Sequence, residues 1–122
     1  MPLTQNIKHI FEPTNLQCGQ AVIAMLANSS VEEVIKVVGT DRETTLNQMF
    51  KALEFYGISY KKERIAANKK EELPNICILS LETPRCWHWS LYFNGTFYDP
   101  EHGVLNDFPK SNRKYYWKIE EL

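Results

Sequence analysis

The chain has 122 residues, with 14 Lys and Arg against 15 Asp and Glu and a formal net charge of -1, a length suited to one domain with its own core. Neither sign of charge forms a long block, which argues against electrostatic binding to nucleic acid or to an anionic membrane. No apolar run is long enough for a membrane span, and the first residues lack the pattern of a signal peptide. We therefore expect one cytoplasmic domain over residues 1–122 whose partner is a peptide or a protein.

The cysteines indicate a reducing compartment. Cys18, Cys77 and Cys86 form an odd set without the paired spacing of a zinc site or the density of a disulfide scaffold. Cys86 and His88 are close enough in sequence to suggest a metal, but no further ligands follow at suitable spacing. We therefore expect no metal and no cofactor, and we expect Cys77 to pack in the core.

The first predicted helix begins at Cys18. In the stretch 15–26, NLQCGQAVIAML, a cysteine and a glycine precede an apolar run, which indicates a loop that turns into a buried helix ending between Ala27 and Ser29. Free N–H groups and the helix dipole at such a start favour a thiolate. Cys18 is therefore a candidate nucleophile. The alternative is that it is a small buried hydrophobic residue.

Two more helices follow, each with its own start and stop signals. Capping boxes and terminal glycines mark them in chain order: Ser30 with Glu33, Gly39, Thr45 with Gln48, and Gly57. Apolar residues at helical spacing lie between these signals, and the stripe of the third helix ends with Phe55 or Tyr56. The first half of the chain is therefore predicted to be helical.

The second half is predicted to be an antiparallel sheet. Residues 58–61 are a short mixed segment, residues 68–72 are a loop or one helical turn, and residues 76–81, ICILSL, are typical of a central strand. Asn94 and Gly95 predict a tight hairpin that joins residues 88–93 to residues 96–99. Residues 115–119 predict a last strand. Helices followed by such a sheet define an α+β domain.

The register of the predicted hairpin brings a histidine and an aspartate together. If Phe93 and Thr96 flank the turn, then His88 and Asp99 are diagonal neighbours on the face that also carries Ser90, about 7 to 8 Å apart at Cα. Trp89, Leu91, Phe93 and Tyr98 then face the other way. An imidazole oriented by Asp99 can serve Cys18 as a base, which is the arrangement of nucleophilic cysteine enzymes. The alternative is a strand histidine held by a structural aspartate.

These residues carry a resemblance to a known family. The segments CGQAVIAML, VEEVIKVVGTDRETTLNQMFKALEFYGI, LPNICILSL and HWSLYFNGTFYDPEHGV resemble papain-like cysteine peptidases of the bacteriocin-leader-processing type, which cut after a double glycine. The resemblance covers most of the chain. It implies that Cys18 is the nucleophile, that His88 is the general base and acid, and that Asp99 orients the histidine. It also implies a papain-like fold with the active site between the helices and the sheet.

One part of the family pattern is absent. The family has a glutamine six residues before the cysteine that donates to the oxyanion, and this chain has Glu12 there. A carboxylate cannot donate, and oxyanion donors are often worth two or three orders of magnitude in rate. Gln17, together with the Cys18 backbone N–H, is the first candidate to complete the oxyanion hole, and Gln5 is a second. The chain also shows no resemblance to the membrane and ATP-binding portions to which such domains are often fused.

The sequence therefore predicts a thiol-dependent amide hydrolase with a Cys-His-Asp triad. A protein glutamine deamidase or acyltransferase with the same triad is one alternative, and a degenerate peptide-binding domain, suggested by Glu12, is another. Trp87, Trp89 and Trp117 are interpreted as core or cleft-wall residues suited to a peptide. His9 and His102 are expected to be exposed. The sequence indicates neither the substrate's identity nor an oligomeric state.

Overall fold

The computed structural model describes residues 7–121, and three α-helices form the first half of this range. They are α1 (Cys18–Ala27), α2 (Val31–Val38) and α3 (Leu46–Phe55). Each begins where the sequence predicts, and α1 ends at the start of its predicted range. Helix α1 is buried from Cys18 to Leu26, which explains why apolar residues occur on all sides of it.

The helix caps confirm most of the predicted start signals. The Thr45 capping box is complete, because its hydroxyl accepts from the Gln48 N–H and the Gln48 side chain accepts from the Thr45 N–H. At α2 the Ser30 hydroxyl accepts from the Glu33 N–H. The return bond from the Glu33 side chain is absent from the hydrogen bonds of residues 7–121, so only half of that predicted box forms.

Seven strands form the second half of the described range. Their bounds are β1 (Ser59–Tyr60), β2 (Ile65–Ala66), β3 (Ile76–Glu82), β4 (Trp87–Phe93), β5 (Thr96–Asp99), β6 (Gly103–Leu105) and β7 (Lys114–Glu121). The order in the sheet is β1-β7-β3-β4-β5-β6, with β2 also paired to β7, and every pair is antiparallel. Residues 70–72 form one 3₁₀ turn, in agreement with the prediction. The domain is α+β.

The hairpin has the predicted register. Phe93 pairs with Thr96, and the next pairs along are Tyr92 with Phe97 and Leu91 with Tyr98. Asn94 and Gly95 both have positive φ, as a tight hairpin turn requires. The placement of the strand side chains on two faces therefore follows the sequence prediction.

Both faces of the hairpin pack against an apolar core, including the face that carries His88, Ser90 and Asp99. The helices cover a large core that includes Leu91 and Phe93. A second, smaller core lies on the face that carries His88, and its buried members are Ala67, Cys77, Leu79, Leu81, Tyr92, Phe97 and Tyr116. Leu73, Leu105 and Phe108 pack against it. Both faces of the sheet are therefore covered, which explains why residues 76–81 are apolar at nearly every position.

Within residues 7–121, no helix combines the length and the apolar character needed to cross a membrane.

Candidate active site

Cys18 lies where α1 meets the sheet. It is the first residue of α1 and is 8% exposed. The N–H of Trp89 in β4 donates to its Sγ across 3.4 Å. Pairing between β4 and β5 stops at Leu91, so the Trp89 N–H lies beyond the β4–β5 ladder. The sulfur thus occupies the end of the sheet where β4 continues and β5 has turned away.

His88 contacts both Asp99 and Cys18. Its Nε2 lies 3.0 Å from Oδ1 and 3.1 Å from Oδ2 of Asp99, and the Cys18 side chain lies close enough to raise the pKa of the ring. Because Nε2 is used by Asp99, Nδ1 is the ring nitrogen left for the sulfur. The structure therefore brings the three predicted residues together in the order thiol, imidazole, carboxylate.

Asp99 is fully buried and accepts several hydrogen bonds besides that of His88. The Ser90 hydroxyl donates to Oδ2 across 2.7 Å, and the backbone N–H groups of Glu101 and His102 each donate to Oδ1 across 2.9 Å. Burial alone would raise the pKa of Asp99, but the contacts with His88, Ser90 and the His102 N–H outweigh it and lower the pKa below its ordinary 3.8. Asp99 is therefore an ionised carboxylate at neutral pH.

The same contacts set the charge of His88. Burial lowers the pKa of His88, but the hydrogen bonds and charges of Asp99 and Cys18 outweigh it and raise the pKa from 6.5 to about 10. The ring is therefore an imidazolium at neutral pH. A cation beside a thiol favours the thiolate form, which is the nucleophile.

Cys18 and His88 open into one cavity of about 510 Å³. Its walls come from the segment before α1, the loop between α2 and α3, and the start of β4. Besides Cys18 and His88, the lining residues are Glu12, Asn15, Leu16, Glu43, Thr44, Ser80, Arg85, Cys86, Trp87, Trp89 and Glu101. Trp87 and Trp89 thus form part of the cleft wall, as the sequence predicted. A cavity of this size suits a side chain or a short peptide segment.

No protein-family model and no curated protein sequence matches this chain. The resemblance to papain-like peptidases therefore stays a prediction from the sequence.

The structure does not bring Gln17 into the cavity. Its side-chain nitrogen donates to the Asp41 carbonyl across 3.1 Å, and Gln17 does not line the cleft. Gln20 similarly donates to the carbonyls of Thr40 and Arg42 at 3.0 and 2.8 Å. The two glutamines therefore hold the loop between α2 and α3 against α1. Gln5, the second predicted oxyanion donor, lies outside the described residues.

Glu12 lines the cleft and lies near the triad. One side-chain atom each from Glu12, His88 and Glu101 lie within 4.8 Å of one another, a spacing that also occurs in metal sites. A metal there would have to compete with Asp99, which bonds Nε2, and with the neighbouring Cys18 side chain for the His88 ring. We therefore assign no metal to this group.

Sequence reasoning missed the contact of His9 with the site. His9 was expected to be exposed, but it is half-buried and its Nε2 donates to the Asp99 carbonyl across 2.7 Å. The surrounding residues 7–11 show no strong periodicity, so no local signal placed them beside the hairpin. His102 is exposed, as expected. All three cysteines are free thiols, with Cys77 buried and Cys86 exposed.

Proposed function

We propose that this chain is a thiol-dependent amide hydrolase of the cysteine peptidase type, with Cys18, His88 and Asp99 as its triad. The observation that carries the proposal is that buried His88 lies between Cys18 and Asp99, with Cys18 and His88 both lining one cleft. If His88 were only a strand histidine held by a structural aspartate, its contact with Asp99 would be sufficient. The ring also lies beside the Cys18 thiol at the start of α1, which that alternative does not require.

The proposed reaction proceeds through a thioester. The Cys18 thiolate attacks the amide carbonyl carbon, a C–S bond forms, and the π electrons move to the carbonyl oxygen. When the carbonyl re-forms, the C–N bond breaks and the leaving nitrogen takes a proton from His88. A water molecule then attacks the thioester and gives one proton to His88, and the Cys18 sulfur leaves as the thiolate. Asp99 holds the imidazole in the required orientation throughout.

The composition of the cleft supports a peptide or protein substrate. Trp87 is 46% exposed and lines the cleft beside Trp89, so flat apolar surface is available for substrate side chains. Helices on one face of an antiparallel sheet, with the thiol at a helix start and the histidine on a strand, also fit the proposed papain-like fold.

Alkylation by iodoacetamide tests the nucleophile directly. At pH 7 we expect Cys18 to alkylate at least tenfold faster than Cys86, which is exposed and serves as the internal control. Cys18→Ala removes the fast phase. His88→Ala slows it, because the sulfur loses its imidazolium.

Two results would contradict the proposal. Equal rates at Cys18 and Cys86 would show that the sulfur is not activated. A fast phase unaffected by His88→Ala would show that the histidine is structural. A protein that binds peptides but fails both criteria would be a degenerate binding domain.

A further inference from the structure

The side chain of Glu12 is held inside the cleft. The Glu12 N–H donates to the Pro100 carbonyl across 2.9 Å, and the neighbouring His9 donates to the Asp99 carbonyl. These two bonds fix residues 9–12 along the end of β5. Oε2 of Glu12 is buried and has no hydrogen-bond partner within residues 7–121. A buried oxygen without a hydrogen-bond partner costs free energy. We therefore expect Oε2 to take part in an interaction that the other described residues do not supply.

The two carboxyl groups near His88 differ in their partners. Oxygens of Glu12 and Glu101 lie within 4.8 Å of each other and of a His88 ring nitrogen. Glu101 also has Arg85 Nη2 at 2.6 Å and His102 Nε2 at 3.4 Å. Close carboxyl groups disfavour double ionisation. Because Glu101 is paired with a cation, the proton is better placed on Glu12.

We propose that Glu12 acts as a neutral carboxylic acid whose O–H donates to the oxyanion formed when Cys18 attacks a carbonyl. This inference rests on the proposed function. Both residues line the same cavity, and the partnerless Oε2 is a site for the proton. A buried protonated carboxylic acid can serve as an oxyanion donor.

The electrostatic surroundings of Glu12 agree with this role. Burial raises the pKa of Glu12 above its ordinary 4.5, His88 and Arg85 lower it, and Glu101 and Asp99 raise it, with a raised pKa as the net result. The charged and titratable groups that face it are therefore His88 on β4, Arg85 before β4, Asp99 at the end of β5, and Glu101 in the following turn, with Cys18 on the same cleft wall. Ionised Glu12 would repel the oxyanion, so the attack should slow as Glu12 loses its proton.

Two reagents separate this role from activation of the sulfur. With p-nitrophenyl acetate, the Cys18 sulfur bonds to the acetyl carbon, an oxyanion forms, and p-nitrophenolate leaves with the electrons of the broken C–O bond. With iodoacetamide, the sulfur displaces iodide and no oxyanion forms. Both reactions need the thiolate, so the ratio of the acylation rate to the alkylation rate isolates stabilisation of the oxyanion.

The variants are Glu12→Gln, Glu12→Ala and the control Glu32→Gln, which removes an exposed carboxylate on α2 outside this cleft. In the native chain the ratio should fall as pH rises and Glu12 loses its proton. Glu12→Gln should remove that fall, because an amide donates at every pH. Glu12→Ala should lower the ratio at the acid end of the profile by about 10²-fold, and Glu32→Gln should match the native chain.

The outcomes distinguish this inference from the proposed function. If Cys18 alkylates rapidly and depends on His88, but Glu12→Ala leaves the ratio unchanged or Glu12→Gln lowers it at every pH, the role of Glu12 is refuted and the triad stands. A ratio that rises with pH in the native chain also refutes it, since it would require the ionised carboxylate. If alkylation of Cys18 does not depend on His88, both proposals fail. Unchanged alkylation in the Glu12 variants confirms that the site is still folded.

Discussion

Gly19 lies so close to Thr44 that a Cβ added to the glycine would be 1.9 Å from the threonine Oγ1. The same Cβ would lie 3.1 Å from Met49 Sδ and 3.1 Å from Trp89 Cδ1. The Trp89 indole N–H donates to the Thr44 carbonyl across 3.2 Å. The residue after the candidate nucleophile must therefore be small, because the loop between α2 and α3 and the β4 tryptophan both pack directly against it.

Gly19→Ala should lower the free energy of unfolding by about 1 to 3 kcal/mol, because overpacking in a dense core costs that much. In an exposed helix interior the same change stabilises by about 1 kcal/mol, so the sign tests the contact. Urea denaturation measures it. Thr44→Ala combined with Gly19→Ala should recover part of the loss, since the closest atom is then absent. Purely additive losses in the double variant would contradict the predicted clash.

The His88–Asp99 pair should make the free energy of unfolding depend on pH at both the acid and the alkaline end of the pH range. The pKa of His88 is raised from 6.5 to about 10, so its contribution is complete below pH 6.5 and is lost as pH rises toward 10. The pKa of Asp99 is lowered from 3.8, so its contribution is complete above pH 3.8 and is lost as pH falls below that value. Stability from this pair should be greatest between about pH 4 and 6.5.

Urea denaturation of the native chain and of His88→Gln at pH 5.5, 7.5 and 9 checks this dependence. The stability difference between the two proteins should shrink as pH rises, because glutamine does not titrate. A difference that stays constant or grows over this range would show that His88 is not held as an imidazolium.

Ser90→Ala should remove the hydrogen bond to Asp99 Oδ2. Because the acceptor is charged and buried, we expect a loss of about 1.5 to 3 kcal/mol in the free energy of unfolding at pH 6. The acid limb of the stability profile should move to higher pH, since Asp99 loses a bond to its ionised form. Circular dichroism during acid titration measures that limb. An unchanged acid limb would mean that Ser90 does not stabilise the carboxylate.

The three thiols should be distinguishable by their accessibility. Burial raises the pKa of the Cys77 thiol well above its ordinary 9.0, and Cys77 is 0% exposed. A disulfide reagent such as Ellman's reagent should therefore modify Cys18 and Cys86 in the native protein and Cys77 only in denaturant. Cys86→Ser should remove one native equivalent. Modification of Cys77 without denaturant would contradict the packing of β3.

Local signals were sufficient to predict the helices, the hairpin and the His88–Asp99 contact. Each depends on residues close in sequence, such as the Thr45 box or the Asn94–Gly95 turn, which fix backbone geometry by themselves. The meeting of Cys18 with β4 is different, because the two are 71 residues apart. The sequence suggested that contact only because a cysteine, a histidine and an aspartate can form a triad. The packing of α1 on the sheet is what brings Cys18 to β4.

Features that depend on distant partners were missed. Strands β2 and β6 are only 2 and 3 residues long, and they form because β7 and β5 offer free edges. The position of His9 and the second core likewise depend on chain segments that return from elsewhere. The position of the Gln17 side chain could not be predicted from the residues next to it in sequence, because its amide donates to the Asp41 carbonyl, 24 residues away.

The register of the β4–β5 hairpin also determines whether the Asp99 carboxylate and the His88 ring meet. Side chains alternate along a strand, so a shift of one residue between β4 and β5 would exchange the two faces. Because β4 is held in register by β3, β5 would turn over, so Tyr98 would take the place of Asp99 and Asp99 would point toward the helical core. A single-residue insertion between Asn94 and Gly95 would thus separate the site residues without substituting any of them. The geometry of a two-residue turn therefore governs the chemistry at the opposite end of the hairpin.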